Sequence, residues 1–553
     1  MRRSAEGRVD KLFNFRPIFF TAVALCLGIF FGYLHKFHGV STWWLCLLLP
    51  IVGASFCFCL TKRRIFRAVC AWLGMLVFFS LGWTGFCAQV RDFENTKAYD
   101  GEYHVVGRVI EKKEYVYTAC VVLDDLFVAG NRVEGKLNAY LPLSFYENAD
   151  LGDEILLYGK LTTATEFFDE HGFRSYAIGE NLRYTMRVEK CVRSGAKFDL
   201  FTFIRARMQT RIYAGMDEDA ASVTMAVLTG GTSGIDEGLL DNMRRGGIAH
   251  IFAVSGLHVG ALYAFCLLLL SRTGLKKLPK AGRFCLLAAL LLFYGGICGF
   301  SASIVRAIVL CLVGYGAKLF ASSVDFLETL GLSAIIILFL SPISLFEAGF
   351  QLSFAACLGI VLLQKRIGQV CVELGKVYRK LFPKRLTAEQ RAMIEKGDTL
   401  PLTVSQRVTQ FFLSTFSVSL AAQIATAPIL LARFGYVSGW SILLNLLFVP
   451  LISAAFAFLL VCVLVACFLP VAASGFVLYI PNILWSFALL LFEAVDFSTF
   501  SLVGWSISPQ AHICYYGGCV LLTDKLHLSA VWRKGVALAC LFTFIFLFLA
   551  GNL

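Results

Sequence analysis

The chain is 553 residues long, 58% hydrophobic by composition, with a mean hydropathy of +0.72 and a formal charge of +13. Apolar runs of about twenty residues recur along it, the length that crosses a hydrocarbon core, so a chain that is water-soluble throughout is excluded and a polytopic α-helical membrane protein is predicted. The positive balance alone does not mark a nucleic-acid binder, because membrane proteins collect basic residues in their cytoplasmic loops.

Arg2, Arg3, Arg8, Lys11 and Arg16 precede a first span at about 17–34, and Lys62, Arg63, Arg64 and Arg67 follow a second at about 42–60. Both clusters are predicted to be cytoplasmic, which makes residues 1–16 a basic cytoplasmic N-terminus. No small-residue cleavage site follows the first span and further spans do, against a cleaved signal peptide. A third span at about 68–89 completes three transmembrane helices over residues 17–89 and delivers residues 90–200 to the outer face.

Residues 90–200 read as a water-soluble domain. Alternating or β-branched stretches at 104–110, 115–128, 133–143, 153–161 and 183–193 are separated by turn signals such as Ala129-Gly130-Asn131 and Leu151-Gly152-Asp153. Five short strands of this kind predict a small extracytoplasmic β-barrel, and an OB-like barrel is a common solution. Such a barrel can hold a single nucleic-acid strand by stacking bases on aromatics and tracking phosphates with cations. The candidates are Arg174, Arg183, Tyr184, Arg187 and Arg193. Acidic side chains outnumber basic ones sixteen to twelve over residues 101–200, so any phosphate groove is local, and a purely structural barrel stays open. The nineteen cysteines include no CxxC pair and lie mostly in apolar runs, as small core residues. Cys120 and Cys191 are the two in this domain, a candidate disulfide between the second and last strands in an oxidising compartment.

An amphipathic stretch at 201–216 and a Gly-rich turn at 230–234 lead into IAHIFAVSGLHVGALY, residues 248–263. Here His250, Ser255, Gly256 and His258 lie in a segment apolar enough to enter a bilayer. Polar groups at membrane depth cost a few kcal/mol each, so a cluster of them is expected to face a water-filled cavity or a partner. Ser255-Gly256 would also loosen the helix and expose backbone groups that only a polar lumen satisfies. The segment therefore reads as the lining of a path. The two histidines, eight residues apart, fall near but not on one helix face, with no third ligand at metal-like spacing. Ser255 lacks the strand-to-helix elbow and the orienting acid of a hydrolase, so neither a catalytic role nor a cofactor is expected.

The basic loop Arg272, Lys276, Lys277, Lys280 and Arg283 predicts that this span ends in the cytoplasm. Apolar runs follow at about 284–299, 304–319, 326–340, 345–363, 411–433, 451–470, 476–491, 512–523 and 536–550. The largest loop, 364–410, carries ten basic against four acidic residues and suits the cytoplasm, near anionic lipid headgroups or a docking partner. Residues 201–523 thus form one membrane domain, and 524–553 a basic loop with a final helix.

AVLTGGTSGIDEGLLDNMRRGGIAHIFAVSGLHVG (226–260), SASIVRA (301–307), LSPISLFEAGFQLSFAACLGI (340–360) and SLAAQIATAPILLARFGYVSGWSILLNLLFVPL (419–451) resemble, in order, signatures of the ComEC competence family. LGDEILLYGKL (151–161) and FFDEHGFRSYAIGENLRY (167–184) resemble that family's OB-like module. The resemblance implies a bacterial cell (inner) membrane channel that passes single-stranded DNA into the cytoplasm during natural transformation. It implies an external DNA-receptor protein and a helicase-like cytoplasmic ATPase as partners, and allows a homo-oligomer. Many relatives carry a C-terminal metallo-β-lactamase-like domain. This sequence has no HxHxDH pattern for its metals, so a nuclease role is not carried over, and the resemblance leaves the source of a nuclease open, a separate protein being one possibility. No GxxxxGK[ST] loop occurs either, so a motor must come from the partner.

A DNA path needs donors for phosphate oxygens and little fixed negative charge. Arg306 is the sharpest candidate, with an ion pair to Glu328 or Glu347 as its structural alternative. Ser301 and Ser303 supply hydroxyls, and Glu347, Gln351, Gln423 and Asn445 either line the lumen or bond neighbouring helices. Arg244 and Arg245 are candidates for the entrance, or plain surface charges. A small-solute transporter and an intramembrane hydrolase are the alternative functions.

Overall fold

The computed structural model describes residues 16–39, 65–114, 119–142, 145, 150–164, 174–196, 199–231, 234–248, 256–319, 325–381, 404–493, 501–505, 507–523 and 530–550. Two apolar helices come first, α1 (Pro17–His38) and α2 (Ile65–Glu94). Pro17 opens α1, where its missing N–H costs nothing, and Gly39 closes it in the left-handed conformation, its N–H returned to the Leu34 carbonyl. The helices run parallel, Thr21 beside Gly74 and Lys36 paired with Glu94 at 2.8 Å. The span expected at 42–60 lies outside the described residues.

The barrel consists of β1 (Gly101–Glu114), β2 (Ala119–Val128), the short β3 (Asn131–Val133), β4 (Lys136–Leu141), β5 (Asp153–Thr163) and β6 (Leu182–Ala196), with α3 (Arg174–Gly179) between the last two. The order is β1-β5-β6-β4-β2, and β1 also pairs with β2, so five strands close on themselves and leave no open edge. Only β4–β6 is parallel. Side chains alternate as a half-buried strand requires, with Ile155, Leu157 and Leu161 of β5 facing the core. The OB-like barrel expected for residues 90–200 is therefore present, with β3 as a small addition.

Side-chain contacts tie the barrel to the helices. Arg183 pairs with Asp92 at the end of α2 and the Tyr184 hydroxyl donates to the Lys97 carbonyl, while Gln89 of α2 joins that helix to the bundle through the Ser341 hydroxyl and the Ile343 amide. At the barrel's exit Asp199 caps the next helix, accepting from the Thr202 amide (2.9 Å) and hydroxyl (2.6 Å), with Arg108 3.9 Å away. The Thr202 hydroxyl and amide, with help from Arg108 and Arg205, hold the Asp199 carboxyl below its ordinary range against a smaller opposing effect of burial. A depressed folded-state pKa stabilises fully above the unfolded value and loses that contribution as pH falls through the folded one. Asp199→Asn should therefore flatten the acid limb of a thermal-stability profile below about pH 4, and Asp199→Ala should cost about 0.5–2 kcal/mol at neutral pH. An unchanged acid limb in Asp199→Asn would count against the cap.

The remaining helices are α4 (Leu200–Gly215), α5 (Glu218–Thr229), α6 (Glu237–Arg245), α7 (Gly256–Arg272), α8 (Lys280–Ile297), α9 (Ala302–Leu319) and α10 (Phe326–Leu340), then α11 (Ala348–Leu381), α12 (Val404–Phe434), α13 (Ser441–Phe468), α14 (Ser474–Glu493), α15 (Pro509–Leu521) and α16 (Ala530–Ala550). A two-stranded sheet joins β7 (Tyr436–Ser438) to β8 (Ser501–Val503). Among the described residues seven helices are long and apolar enough to cross a membrane, which makes this a membrane protein, and 256–272, 326–340 and 455–468 are shorter apolar helices. The run at 512–523 falls in α15, a thirteen-residue helix packed on α16.

Pro428 inside α12 lacks an N–H, which orphans the Ile424 carbonyl one turn earlier. Tyr515 of α15 donates to that oxygen at 2.8 Å, and Tyr516 to the Ala425 carbonyl at 2.9 Å. Tyr515→Phe should lower stability by about 1–3 kcal/mol, the cost of an unsatisfied buried acceptor. The melting midpoint of detergent-solubilised protein reads this, and an unchanged midpoint would mean that the carbonyl finds another donor.

Candidate nucleic-acid conduit

The SASIVRA motif begins α9. Gly299 and Phe300 both take left-handed backbone (φ +73° and +52°) just before it, a turn that reverses the chain between α8 and α9. Ser301 is exposed, and its carbonyl receives the Ile304 and Val305 amides. One turn on, Arg306 is buried with 7% of its surface exposed. Its Nη2 donates to the Ser303 hydroxyl (3.4 Å), which lies 3.3 Å from the Ser353 hydroxyl of α11. The guanidinium carbon is 5.8 Å from the centre of the Phe354 ring, itself stacked at 4.2 Å on Phe350. Among the described residues Nε and Nη1 have no hydrogen-bond partner.

The ion pair considered for Arg306 is absent, because both acids are engaged elsewhere. Glu328 accepts from the Phe19 amide at the start of α1, beside the Arg16–Asp325 pair at 2.7 Å. Glu347 lies against Gly179 of the barrel's helix, so it belongs to the barrel–bundle junction rather than to Arg306. Gln351 donates to the Leu345 carbonyl and accepts from Arg433 (3.4 Å), and Gln423 donates to the Ser438 carbonyl, so both amides hold the bundle together. Asn445 keeps a buried Oδ1 without a partner among the described residues.

His250 and Ser255 lie outside the described residues. Gly256 is the first described residue of α7, and a β-carbon there would stand 3.0 Å from Nη2 of Arg306, so the two signatures meet. His258 is placed within the bundle, one of the two positions expected for it. It is fully buried, its ring 4.9 Å from that of Phe456, because the first turn of α7 packs against α13. Arg244 and Arg245 are exposed in the last turn of α6, where cations suit the negative helix end, and Arg245 pairs with Asp241 at 2.8 Å.

The barrel's expected DNA contacts do not form one groove. Tyr184 points into the core, and burial raises its phenol pKa. Arg183 is spent on Asp92, Arg193 on Asp153 at 2.7 Å, and Arg187 is exposed, while nothing is described of the Arg174 side chain. The alternation of β6, hidden in the sequence by a bulge, separates these residues onto different faces. No disulfide joins Cys120 to Cys191. Cys120 is level with Tyr140 and Arg187, while Cys191 lies four residues further along β6. At about 3.3 Å per residue that separation exceeds disulfide reach. Sequence reading missed an outward row in register across β1, β5 and β6, where the tilted His104 and Tyr158 rings lie 4.8 Å apart beside Lys190, with the Tyr158 hydroxyl donating to Glu102.

An open cavity of about 630 Å³ lies between α11 and α12, lined by Gln364, Lys365, Gln369, Glu373, Gln410 and Leu413 among others. It begins about three helical turns along α11 from Ser353, where α11 heads into the basic segment 364–410.

Residues 227–528 match the family described as Competence protein, an interval that holds Gly256, Arg306 and the cavity between α11 and α12. ComE operon protein 3 of Bacillus subtilis (strain 168) is 29% identical over 287 residues, covering 52% of this chain and 29% of that protein. The aligned part is thus less than a third of the relative's length. No solved structure matches the chain significantly. The family interval takes in more than half of the chain, including the helices that bring Arg306 against Gly256, and the chain belongs to the competence protein family.

Proposed function

We propose that this protein takes part in DNA uptake for natural transformation, as the membrane channel that admits a single strand to the cytoplasm. The observation that carries the reading is a buried guanidinium with open donors inside the family-matched bundle, a group suited to phosphate and costly to keep otherwise. The proposed site is the bacterial inner membrane, with the N-terminus cytoplasmic and the barrel outside. His258 and Arg306 are enclosed, so the conformation described is a closed one, and passage requires α7, α9 and α11 to part. The barrel meets the strand on its His104–Tyr158 face rather than at Tyr184.

Each nucleotide charge moved inward against a membrane potential costs roughly 2.3 kcal/mol per 100 mV, so a helicase-like ATPase pulls from the cytoplasm and segment 364–410 is its docking surface. An external receptor delivers the DNA, and the protein acts by transport rather than catalysis. Gene disruption in the native host, complemented with this chain, tests the reading. Labelled DNA should stay outside the disrupted cells and enter after complementation. Normal entry in the disrupted strain would end the proposal.

A further inference from the structure

We infer that Arg207 and Arg211 of α4, held over the end of α13, form a site for the phosphate of an anionic phospholipid at the membrane boundary on the barrel's side. α4 starts against the barrel, where the Thr202 methyl lies 3.3 Å from a β-carbon placed on Gly152. Arg207, Arg211 and Gly215 then follow at intervals of four and form one ridge of the helix. That ridge crosses the joint between α13 and α14. Nε of Arg207 donates to the Cys467 carbonyl at 2.7 Å, one residue before α13 ends, and a β-carbon on Gly215 would stand 2.9 Å from the Ser474 backbone, where α14 starts. Arg211 sits on the ridge between these two contacts. It is nine-tenths buried, and its Nε and Nη1 are sealed off without a partner among the described residues, which leaves Nη2 as the nitrogen that reaches the surface. Arg207 is exposed, and only its Nε is engaged among the described residues.

Neither charge is answered by a carboxylate among the described residues. The acids that flank α4 are engaged elsewhere, Asp199 capping its own helix start and Asp217 accepting from Asn482 and Ser486 of α14. The Cys467 thiol lies within electrostatic reach of both arginines but is no counter-ion. A buried guanidinium left uncompensated is costly, and an anion at its accessible nitrogen offsets that cost. The surroundings decide which anion. Phe468 at the end of α13 is 87% exposed and Phe476 in the first turn of α14 is 90% exposed, with Val471 and Tyr479 exposed beside them. In a membrane protein such side chains meet acyl chains, and a tyrosine among them suits the headgroup level. A ligand with a phosphate at the arginines and hydrocarbon next to it satisfies both parts, and a phospholipid has that form. Two cations without an acid repel the ammonium of choline or ethanolamine, so the headgroup that fits carries no cation of its own, as in phosphatidylglycerol. The site is separate from Arg306 and does not depend on the transport reading.

The test uses the full chain in nanodiscs of phosphatidylcholine with rising fractions of phosphatidylglycerol, at constant ionic strength. The melting midpoint of the native chain should rise saturably with the anionic lipid. Diacylglycerol, which has the acyl chains without the phosphate, should not raise it. Arg207→Gln and Arg211→Gln should each move half-saturation to a roughly fivefold higher lipid fraction. Arg207 is exposed, so its variant is expected to fold and keeps the test decisive if Arg211→Gln does not. Lys276→Gln combined with Lys277→Gln, beyond the far end of α7, should leave half-saturation unchanged, which separates the site from a general attraction of anionic lipid to basic loops. No rise in the native chain, an unchanged half-saturation in Arg207→Gln, or loss of the response in the lysine variant would each overturn the site. An equal rise with soluble glycerol phosphate would also overturn the lipid assignment, because the acyl chains would then contribute nothing.

Discussion

Arg306→Ala is expected to lower transformation frequency by roughly one to two orders of magnitude, the rate loss from removing a phosphate contact of about 1–3 kcal/mol from a barrier crossed by each nucleotide. The protein should still reach the membrane folded. The substitution removes a buried cation that has no counter-ion among the described residues, and Ser303 and Ser353 can still bond each other. No other buried group is orphaned by the change, so stability should hold or rise. Colony counts with a membrane immunoblot separate the two effects. Wild-type frequency at normal abundance would leave the arginine without a role in uptake.

Gly28→Val should cost more than about 4 kcal/mol, enough to clear most of the folded protein from the membrane, because overlap with a neighbouring backbone cannot be relieved by a rotamer change. A β-carbon at Gly28 would overlap the Phe79 carbonyl, and one at Gly82 the Leu25 carbonyl, so α1 and α2 touch backbone to backbone at two levels. Small residues permit this approach, and dispersion between the helices replaces the hydrophobic drive that lipid removes. Gly74, on the same interface, faces only the Thr21 methyl at 3.9 Å, and Gly74→Ala should change stability by less than about 0.5 kcal/mol. Protein abundance and the melting midpoint in detergent compare the two. Equal behaviour would show that the contact at Gly28 is not decisive.

Much of the architecture was legible. Runs of apolar residues located α1, α2, α8, α11, α12 and α16 because length and hydropathy alone decide what a bilayer accepts. Period-two alternation with Gly and Asn turns located the five strands and hence the barrel. Pairing was less accessible. The parallel β4–β6 contact and the β6 bulge depend on neighbours distant in the chain, and they turned Tyr184 inward and kept Cys120 from Cys191.

The candidate site divides the same way. Composition and motif order sufficed for a membrane protein of the competence family, and SASIVRA marked Arg306 because a cation in an apolar run is costly wherever it ends up. Tertiary packing alone decided what that cation faces. α1 took Glu328, the barrel took Glu347, and α7 brought Gly256 to the guanidinium, while α13 closed over His258. Hydropathy is a property of a residue and can be read one position at a time. Which donors stay open in a bundle is a property of contacts between helices, and those exist only once the chain has packed.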